Sequence, residues 1–466
     1  MGDLRQIATT AILLGFPLAF TSGCGGAASA PVTPASSATQ SVQSGTAHVA
    51  NRRHDAKAGE WPQFGYNPGH SGYNRFEDTI TTQNVSNLQV AWNDSSLIQP
   101  GGIVLSDGVA YVDDMGQANE GLYALDAATG AQKWYANLNL NGSWGNMTHA
   151  VPVVAGNVVV SPCSNGSSSP FLTGLCGVNA RSGQLLWTYY CTQYQGGGCS
   201  GLVNGSSPAL YQRLVYAQIT QGINEQPDTE ALNPKTGAVV WDVPGVFHCP
   251  DGGASQGTPL PASNGLVFAV LACQGSSGAT EICALSAASG SAAWCESTSN
   301  IYVETLIAGG GKLFAAETIG SNTDVIAFDA TSGSQVWTAT LPGANSATLA
   351  MANNRLFVDD GGVGIFALNA HNGKPVWSYT ANSNLTQGGV LSVANGIVYA
   401  DGGGGNNGNV ALAAFDETTG SVIWTSSSVG NGAAPATPVI LDGTVYAGCY
   451  TMCAFALSSS GEHRKR

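Results

Sequence analysis

The stretch "ALDAATGAQKW", residues 124–134, decides the fold of this chain. It reads as a short strand, a tight turn ending on Gly130 and a second strand ending on Trp134, because Asp, Thr and Gly favour turns. Six further complete copies follow, and an eighth ends before any Trp. The turn glycines of the eight copies are Gly130, Gly183, Gly237, Gly290, Gly333, Gly373, Gly420 and Gly461.

The copies recur every 40 to 54 residues, which is typical of propellers with one four-stranded blade per repeat. A second hairpin precedes each copy, with turn dipeptides such as Asp107-Gly108 that two-residue turns prefer. We therefore predict an all-β fold, an eight-bladed β-propeller of four-stranded antiparallel blades. The last copy lacks an outer strand, so "NLQVAW", residues 87–92, is predicted to close the ring as an N-terminal strand.

A Trp ends each predicted outer strand, and its expected role is structural, in the seam between neighbouring blades. These residues are Trp92, Trp134, Trp187, Trp241, Trp294, Trp337, Trp377 and Trp424.

The N-terminus reads as an export signal followed by a tether. Residues 1–23 place an apolar run after a short polar start, which predicts a signal peptide. Small residues before Cys24 are typical of lipoprotein signals and predict its lipidation; an ordinary cleavage site near residues 28–30 is the alternative. Residues 24–60 are small and polar and predict a disordered tether. The propeller is expected over residues 61–461, and a basic tail over 462–466.

The net charge of −14 disfavours nucleic acid as a partner, because phosphate binding needs clustered Lys and Arg. We expect a monomer that is exported to the cell envelope, either lipid-anchored or extracellular. It would contact a membrane only through a lipid anchor.

The repeat resembles that of the quinoprotein-like (PQQ-like repeat) eight-bladed propeller family. "WPQFGYNPGHSGYN", residues 61–74, also resembles the lead-in before the first blade in that family. The family includes PQQ-dependent dehydrogenases and non-catalytic envelope lipoproteins of the outer-membrane barrel-assembly machinery. The resemblance therefore implies the fold and leaves the activity open.

A quinone site would need features that this sequence lacks. PQQ is a tricarboxylate that needs cationic partners, calcium normally sits on it, and the alcohol dehydrogenases carry adjacent cysteines. No adjacent Cys pair is present. The basic residues fall in predicted turns, among them Arg213, Lys312 and Arg355 in inner hairpins, and only Arg75 is unassigned. We predict no catalytic residue and no cofactor, with PQQ and calcium as the alternative.

The predicted function is therefore a non-catalytic scaffold that binds a protein or cell-envelope ligand on a loop face. A PQQ-dependent oxidoreductase with a divergent site is the alternative. Binding of extracellular polysaccharide is a second alternative, on aromatic residues in or near the predicted loops: Trp144, Tyr189, Tyr190 and Tyr194.

Acidic residues cluster where predicted second strands end. Such carboxylates are either solvated turn residues or a metal site, since hard cations bind several oxygens. The candidates are Asp113, Asp114, Asp359, Asp360 and Asp401, with Glu317 at a similar place.

Eleven cysteines indicate an oxidising compartment, and ten remain if Cys24 is lipidated. Three predicted disulfides flank the loop between second and third strands, and the other two follow from a short loop and from elimination. The five pairs are Cys163–Cys176, Cys273–Cys283, Cys449–Cys453, Cys191–Cys199 and Cys249–Cys295.

Overall fold

The computed structural model describes most of the predicted propeller. The described residues are 57–97, 100–114, 120–138, 150–165, 172–191, 201–202, 206–220, 227–244, 259–271, 280–298, 303–343, 347–380, 385, 389–401, 412–426, 437–448 and 451–458. The predicted signal peptide, the predicted lipidation site Cys24, most of the predicted tether and the basic tail lie outside them. Within the described part, no helix has the length and apolar character needed to cross a membrane.

Eight β-sheets form the described fold, one for each predicted blade, which confirms the all-β propeller. Blade 1 contains β3 (Pro100–Ser106), β4 (Val109–Asp114), β5 (Gly121–Asp126) and β6 (Gln132–Asn137). Blade 2 contains β7 (Val153–Ala155), β8 (Val158–Ser164), β9 (Thr173–Asn179) and β10 (Leu185–Tyr190). Blade 3 contains β12 (Ala209–Tyr211), β13 (Leu214–Thr220), β14 (Pro227–Leu232) and β15 (Val239–Val243), with β11 (Gly201–Leu202) also on β13. Blade 4 contains β16 (Ala262–Ser263), β17 (Leu266–Val270), β18 (Thr280–Ser286) and β19 (Ala292–Thr298).

The second half of the chain repeats this order. Blade 5 contains β20 (Val303–Gly309), β21 (Lys312–Ile319), β22 (Asn322–Asp329) and β23 (Gln335–Pro342). Blade 6 contains β24 (Thr348–Ala352), β25 (Arg355–Asp360), β26 (Gly364–Asn369) and β27 (Pro375–Tyr379). Blade 7 contains β28 (Ser392–Ala394), β29 (Ile397–Asp401), β30 (Leu412–Asp416) and β31 (Val422–Thr425), with β1 (Tyr73–Asn74) parallel to β28. Blade 8 contains β32 (Val439–Leu441), β33 (Thr444–Gly448), β34 (Met452–Leu457) and the N-terminal β2 (Leu88–Asp94). Strand β2 follows a 3-10 turn (Val85–Asn87) and pairs antiparallel with β34.

Two-residue turns join the first and second strands of the blades. Asp107 and Gly108 have φ angles of 51° and 72°, the left-handed region that such hairpins require. The predicted turns at Gly311-Lys312 and Asn354-Arg355 are wrong by one residue. The positive φ angles lie at Gly310-Gly311 and Asn353-Asn354, since Gly and Asn tolerate them better than Lys or Arg.

The outer-strand Trp side chains fill the seams between blades. Trp337 packs 5.8 Å from the ring of Phe314, and its indole N–H donates to the carbonyl of Ala370 in the next blade. Gly373 of that blade lies against the indole, where an added Cβ would be 2.6 Å from Cε3. The same donation to the following blade is made by Trp92, Trp134, Trp187, Trp241, Trp294 and Trp377, while Trp424 packs on Phe455.

Candidate functional site

The first strands of the blades line the central channel. Successive members contact one another, as β20 does with β24 and β24 with β28. Their inner edges carry backbone N–H and C=O groups with no partner among the four strands of their own blade, and burying such groups without a partner is costly.

Residues 61–74, which we call the plug, supply those partners at the end of the channel that carries the two-residue turns. The plug meets every blade in chain order, each time at the penultimate residue of the first strand. The pairs, with the plug residue first, are Trp61–Leu105, Pro62–Val154, Gln63–Leu210, Pro68–Ala262, Gly69–Ala308, Ser71–Met351, Gly72–Val393 and Asn74–Ile440, with donor–acceptor distances of 2.6 to 2.8 Å. The plug therefore closes this end of the channel.

Two plug side chains replace backbone groups in these contacts. The Gln63 side chain accepts the N–H of Leu210 at 2.7 Å and donates to the carbonyl of the same residue at 3.3 Å. Asn74 donates to the carbonyl of Ile440 at 2.8 Å. Both plug residues are at most 2% exposed, so bulk water does not substitute for them.

His70 lies inside the plug as a packing residue. It is 1% exposed, and its ring meets Phe64 edge-on at 5.3 Å. Neither ring nitrogen has a hydrogen-bond partner among the described residues. Burial lowers the pKa of His70 to about 3. The imidazole is therefore neutral near pH 7.

Glu77 ties the segment after the plug to the last blade. One carboxylate oxygen accepts the N–H groups of Thr79 and Ile80, and the other accepts the N–H of Gly443 in the hairpin turn of blade 8. Glu77 therefore anchors the end of the plug to blade 8, in addition to the hydrogen bonds made by residues 61–74.

The opposite end of the channel carries longer connections, and we call it the loop face. Blade 1 ends at Asn137 and blade 2 begins at Val153; blade 3 ends at Val243 and blade 4 begins at Ala262. The plug occupies the other end of the channel.

Basic residues are absent from the described first strands of the blades. The one carboxylate there is Glu304 of β20, which accepts the backbone N–H of Ala347. Arg75 is exposed and lies over the ring of Phe76 at 4.8 Å. Arg355 pairs with Glu417 at 3.0 Å in the turn region between blades 6 and 7. The described channel residues therefore do not fit a tricarboxylate such as PQQ.

The carboxylates at the ends of the second strands are buried. Asp113, Asp114, Glu317, Asp359, Asp360 and Asp401 are each at most 5% exposed. Their interpretation as solvated turn residues is therefore wrong.

Asp113 shows how the fold accommodates such a group. Its Oδ1 accepts the N–H of Gly102 at 2.9 Å, and an added Cβ on Gly101 would lie 2.9 Å from its Oδ2. Burial raises the pKa of Asp113 to about 7, the Gly102 hydrogen bond opposes this, and the charge of Asp114 adds to it. Gly101 and Gly102 lie where the pairing of β3 with β4 is irregular. Without a side chain, Gly101 leaves room for the buried carboxyl group of Asp113.

Two groups of metal-capable side chains occur among the described residues, and neither contains a predicted carboxylate. One group is Asp228, Glu230 and Asp242 on blade 3, and the other is Glu281, Cys283 and Cys295 on blade 4. Each has its ligand atoms within 4.8 Å of one another. A metal site at the second-strand carboxylates stays a prediction.

The disulfides differ in part from the predicted pairs. Cys163 and Cys176 are bonded as expected. Cys283 is bonded to Cys295, so the predicted pairs Cys273–Cys283 and Cys249–Cys295 are wrong. The physical reason is register: Cys283 and Cys295 lie directly opposite each other on β18 and β19, with Cα atoms 4.1 Å apart.

Other predicted cysteines lie partly beyond the described ranges. Cys191 and Cys453 are disulfide-bonded. Their predicted partners, Cys199 and Cys449, lie outside the described residues, as do Cys249 and Cys273.

The aromatic residues proposed for polysaccharide do not form an exposed platform where they are described. Tyr189 and Tyr190 are half-buried in β10, and the Tyr190 hydroxyl donates to the Ser164 carbonyl. Trp144 and Tyr194 lie outside the described residues.

Sequence reasoning recognised the lead-in segment but missed its role. Its Gly, Pro and Asn content indicates turns, and no repeat pattern shows that it pairs with every blade. Buried Gln63 and Asn74 were missed for the same reason. The only feature of the sequence that pointed to the role of Gln63 and Asn74 was their place as polar residues within a segment of aromatic and small residues.

Comparison with known proteins agrees with this architecture. The sequence profile of the family described as outer membrane protein assembly factor BamB matches residues 83–244, 228–323 and 321–465. The chain is also 25% identical over 219 residues to the alcohol dehydrogenase (quinone), dehydrogenase subunit, of Gluconobacter oxydans (strain 621H). That match spans 42% of this chain and 27% of the other protein.

Solved structures of both kinds share the fold. The quinohemoprotein alcohol dehydrogenase from Comamonas testosteroni superposes with a TM-score of 0.67 at 14% identity, over 89% of this chain and 83% of that one. BamB from Moraxella catarrhalis superposes with a TM-score of 0.53 at 14% identity, over 81% of this chain and 99% of that one. At such identities the likeness shows the fold alone.

Proposed function

The chain belongs to the PQQ-like repeat family of BamB-like propellers, and from this we propose that it is an exported, non-catalytic member of the family. It binds a protein or cell-envelope ligand through its loop face, and lipidation at Cys24 anchors it. Family members named for assembly of the outer membrane support an envelope location.

The observation that carries this proposal is the make-up of the channel. The plug pairs with all eight blades at one end, and the described first strands offer one carboxylate and no cation to a ligand inside. A tricarboxylate inside the channel would find no cation on the described first strands to pair with. Binding surface is therefore expected outside the channel, on the longer loops.

The second candidate is a PQQ-dependent oxidoreductase with a divergent site. It is supported by the match to the Gluconobacter oxydans subunit and by buried carboxylates of the type that bind calcium. It requires basic residues from outside the described ranges to reach the channel mouth.

Calorimetric titration of the full chain separates the two candidates. We expect no saturable heat when PQQ is added with calcium, and no reduction of an electron-accepting dye by alcohols or sugars. Stoichiometric binding with dye reduction would overturn the proposal in favour of the oxidoreductase.

Site-specific photo-crosslinking tests the binding face. A photoreactive amino acid is placed at Ser321, exposed in a turn on the loop face, and as a matched control at Asn354, exposed in a hairpin turn at the plug end. We expect crosslinked envelope material from Ser321 and none from Asn354. Equal crosslinking from both positions would contradict loop-face binding.

A further inference from the structure

Blade 4 brings Glu281, Cys283 and Cys295 together on one face of its outer strands. Cys283 and Cys295 oppose each other, and Glu281 lies two residues before Cys283, so it projects to the same face. Their ligand atoms lie within 4.8 Å of one another. We propose that this trio is a redox-gated zinc site, closed by the disulfide when oxidised and able to bind Zn²⁺ after reduction.

The sheet holds the sulfur atoms in place independently of the bond between them. The β18–β19 ladder continues on both sides of the disulfide, with Ile282 opposite Glu296 and Ala284 opposite Trp294. The Trp294 indole is itself anchored to the Ala330 carbonyl of blade 5 at 3.1 Å. Ligands on paired strands stay positioned better than ligands on loops. Reduction therefore leaves two thiols and a carboxylate close together.

The chemistry of the trio suits zinc. Zn²⁺ binds thiolate sulfur and carboxylate oxygen in tetrahedral sites, and a water completes a site with three protein ligands. Ser297, opposite Glu281 on β19, adds a hydroxyl on the same face.

The redox step balances with a dithiol as the reductant. The dithiol supplies two electrons and two protons; the Cys283–Cys295 bond breaks, two thiols form and the reductant becomes a disulfide. Zinc binding then releases the two thiol protons to solvent and leaves two thiolates and the Glu281 carboxylate on the metal.

Exposure distinguishes this disulfide from the other one described. Cys295 is exposed, so a reductant can reach it. Cys163 and Cys176 are 0% and 2% exposed and belong to neither metal-capable group among the described residues. They provide a matched comparison, because they also join neighbouring strands of one blade.

The experiment uses the full chain, purified oxidised and then treated with limiting dithiothreitol that is removed before assay. Zinc binding is measured by competition with a chromophoric chelator, and protected cysteines are identified by alkylation and peptide mass spectrometry. We expect about one equivalent of zinc and protection of Cys283 and Cys295. Glu281→Gln, whose oxidised form keeps the disulfide, should weaken binding at least about tenfold. The Cys163→Ser/Cys176→Ser variant should bind zinc as the wild type does.

Three results would overturn the proposal. One is an absence of zinc binding after reduction of Cys283–Cys295, and another is unchanged affinity in Glu281→Gln. The third is reduction of this disulfide only at denaturant concentrations that unfold the protein. Loop-face binding is tested separately, by the crosslinking from Ser321 and Asn354.

Discussion

The plug makes a specific prediction for the substitution Gln63→Ala. It removes the side chain that satisfies both the N–H and the C=O of Leu210 on the inner edge of blade 3. Gln63 is 2% exposed. A buried polar group without a partner costs about 1–3 kcal/mol. Two such groups, allowing for partial relaxation, should lower the free energy of unfolding by roughly 2–4 kcal/mol.

Urea unfolding followed by tryptophan fluorescence measures this loss, because the seam Trp residues report on blade packing. Gln89→Ala is the matched control, since it removes the same side chain from an exposed position in β2 and should change stability by less than about 0.5 kcal/mol. Hydrogen exchange adds a local readout. The Leu210 amide should exchange faster in Gln63→Ala, while the Ala308 amide, bonded to the carbonyl of Gly69, should be unaffected.

Two results would refute this reasoning. If Gln63→Ala is no less stable than Gln89→Ala, the Leu210 edge groups do not depend on the plug. If the Leu210 amide exchanges at the wild-type rate in Gln63→Ala, another group satisfies it. Either result would show that the plug fills the channel end without stabilising the blade edges.

Two further predictions concern a buried charge and a blade seam. Burial raises the pKa of Asp113 from about 4 to about 7, so the folded state holds this proton more tightly than the unfolded state. The contribution of Asp113 to stability should be greatest below about pH 4 and fall as pH rises to about 7. Asp113→Asn should flatten this profile and raise the free energy of unfolding by up to about 4 kcal/mol near pH 8. Asp126→Asn is the control, because Asp126 lies at an exposed turn with a Lys partner, and it should have neither effect. Urea unfolding across this pH range measures both variants, and equal effects would contradict the reasoning. Gly373→Ala and Gly311→Ala both place a side chain at a positive φ, but only the Cβ at position 373 meets a seam Trp. The thermal midpoint of Gly373→Ala should therefore fall further than that of Gly311→Ala, by an amount equivalent to about 1–3 kcal/mol. Equal midpoints would show that the seam relaxes.

The two-residue turns show where local sequence suffices and where it does not. Asp107-Gly108 was predicted correctly because both residues favour the left-handed φ that the turn needs. At Gly311 and Asn354 the neighbouring residues allow two placements, and the register of the flanking strands selects one. A local pattern therefore predicts that a hairpin exists better than it predicts the turn position.

The disulfides show the same limit at longer range. The sequence indicated an oxidising compartment from the number of cysteines, yet it did not show that Cys283 opposes Cys295. That pairing depends on the register between the third and fourth strands of blade 4, including the irregularity between Ala284 and Leu285. A bulge shifts the pairing by one residue, and no count of cysteine spacing detects it.

The sequence by itself determined the propeller, because each repeat encodes a local unit: a turn Gly, a seam Trp and alternating strands whose meaning does not depend on distant residues. Tertiary structure alone decided what fills and lines the channel. Gln63 and Leu210 are 147 positions apart in the chain, and the Asp113 carboxyl lies in a niche formed by glycines of a different strand. The hydrogen bonds of Gln63 depend on how the blades close around the plug, and the burial of Asp113 depends on how β3 and β4 pair in blade 1, so no local pattern in the sequence predicts them.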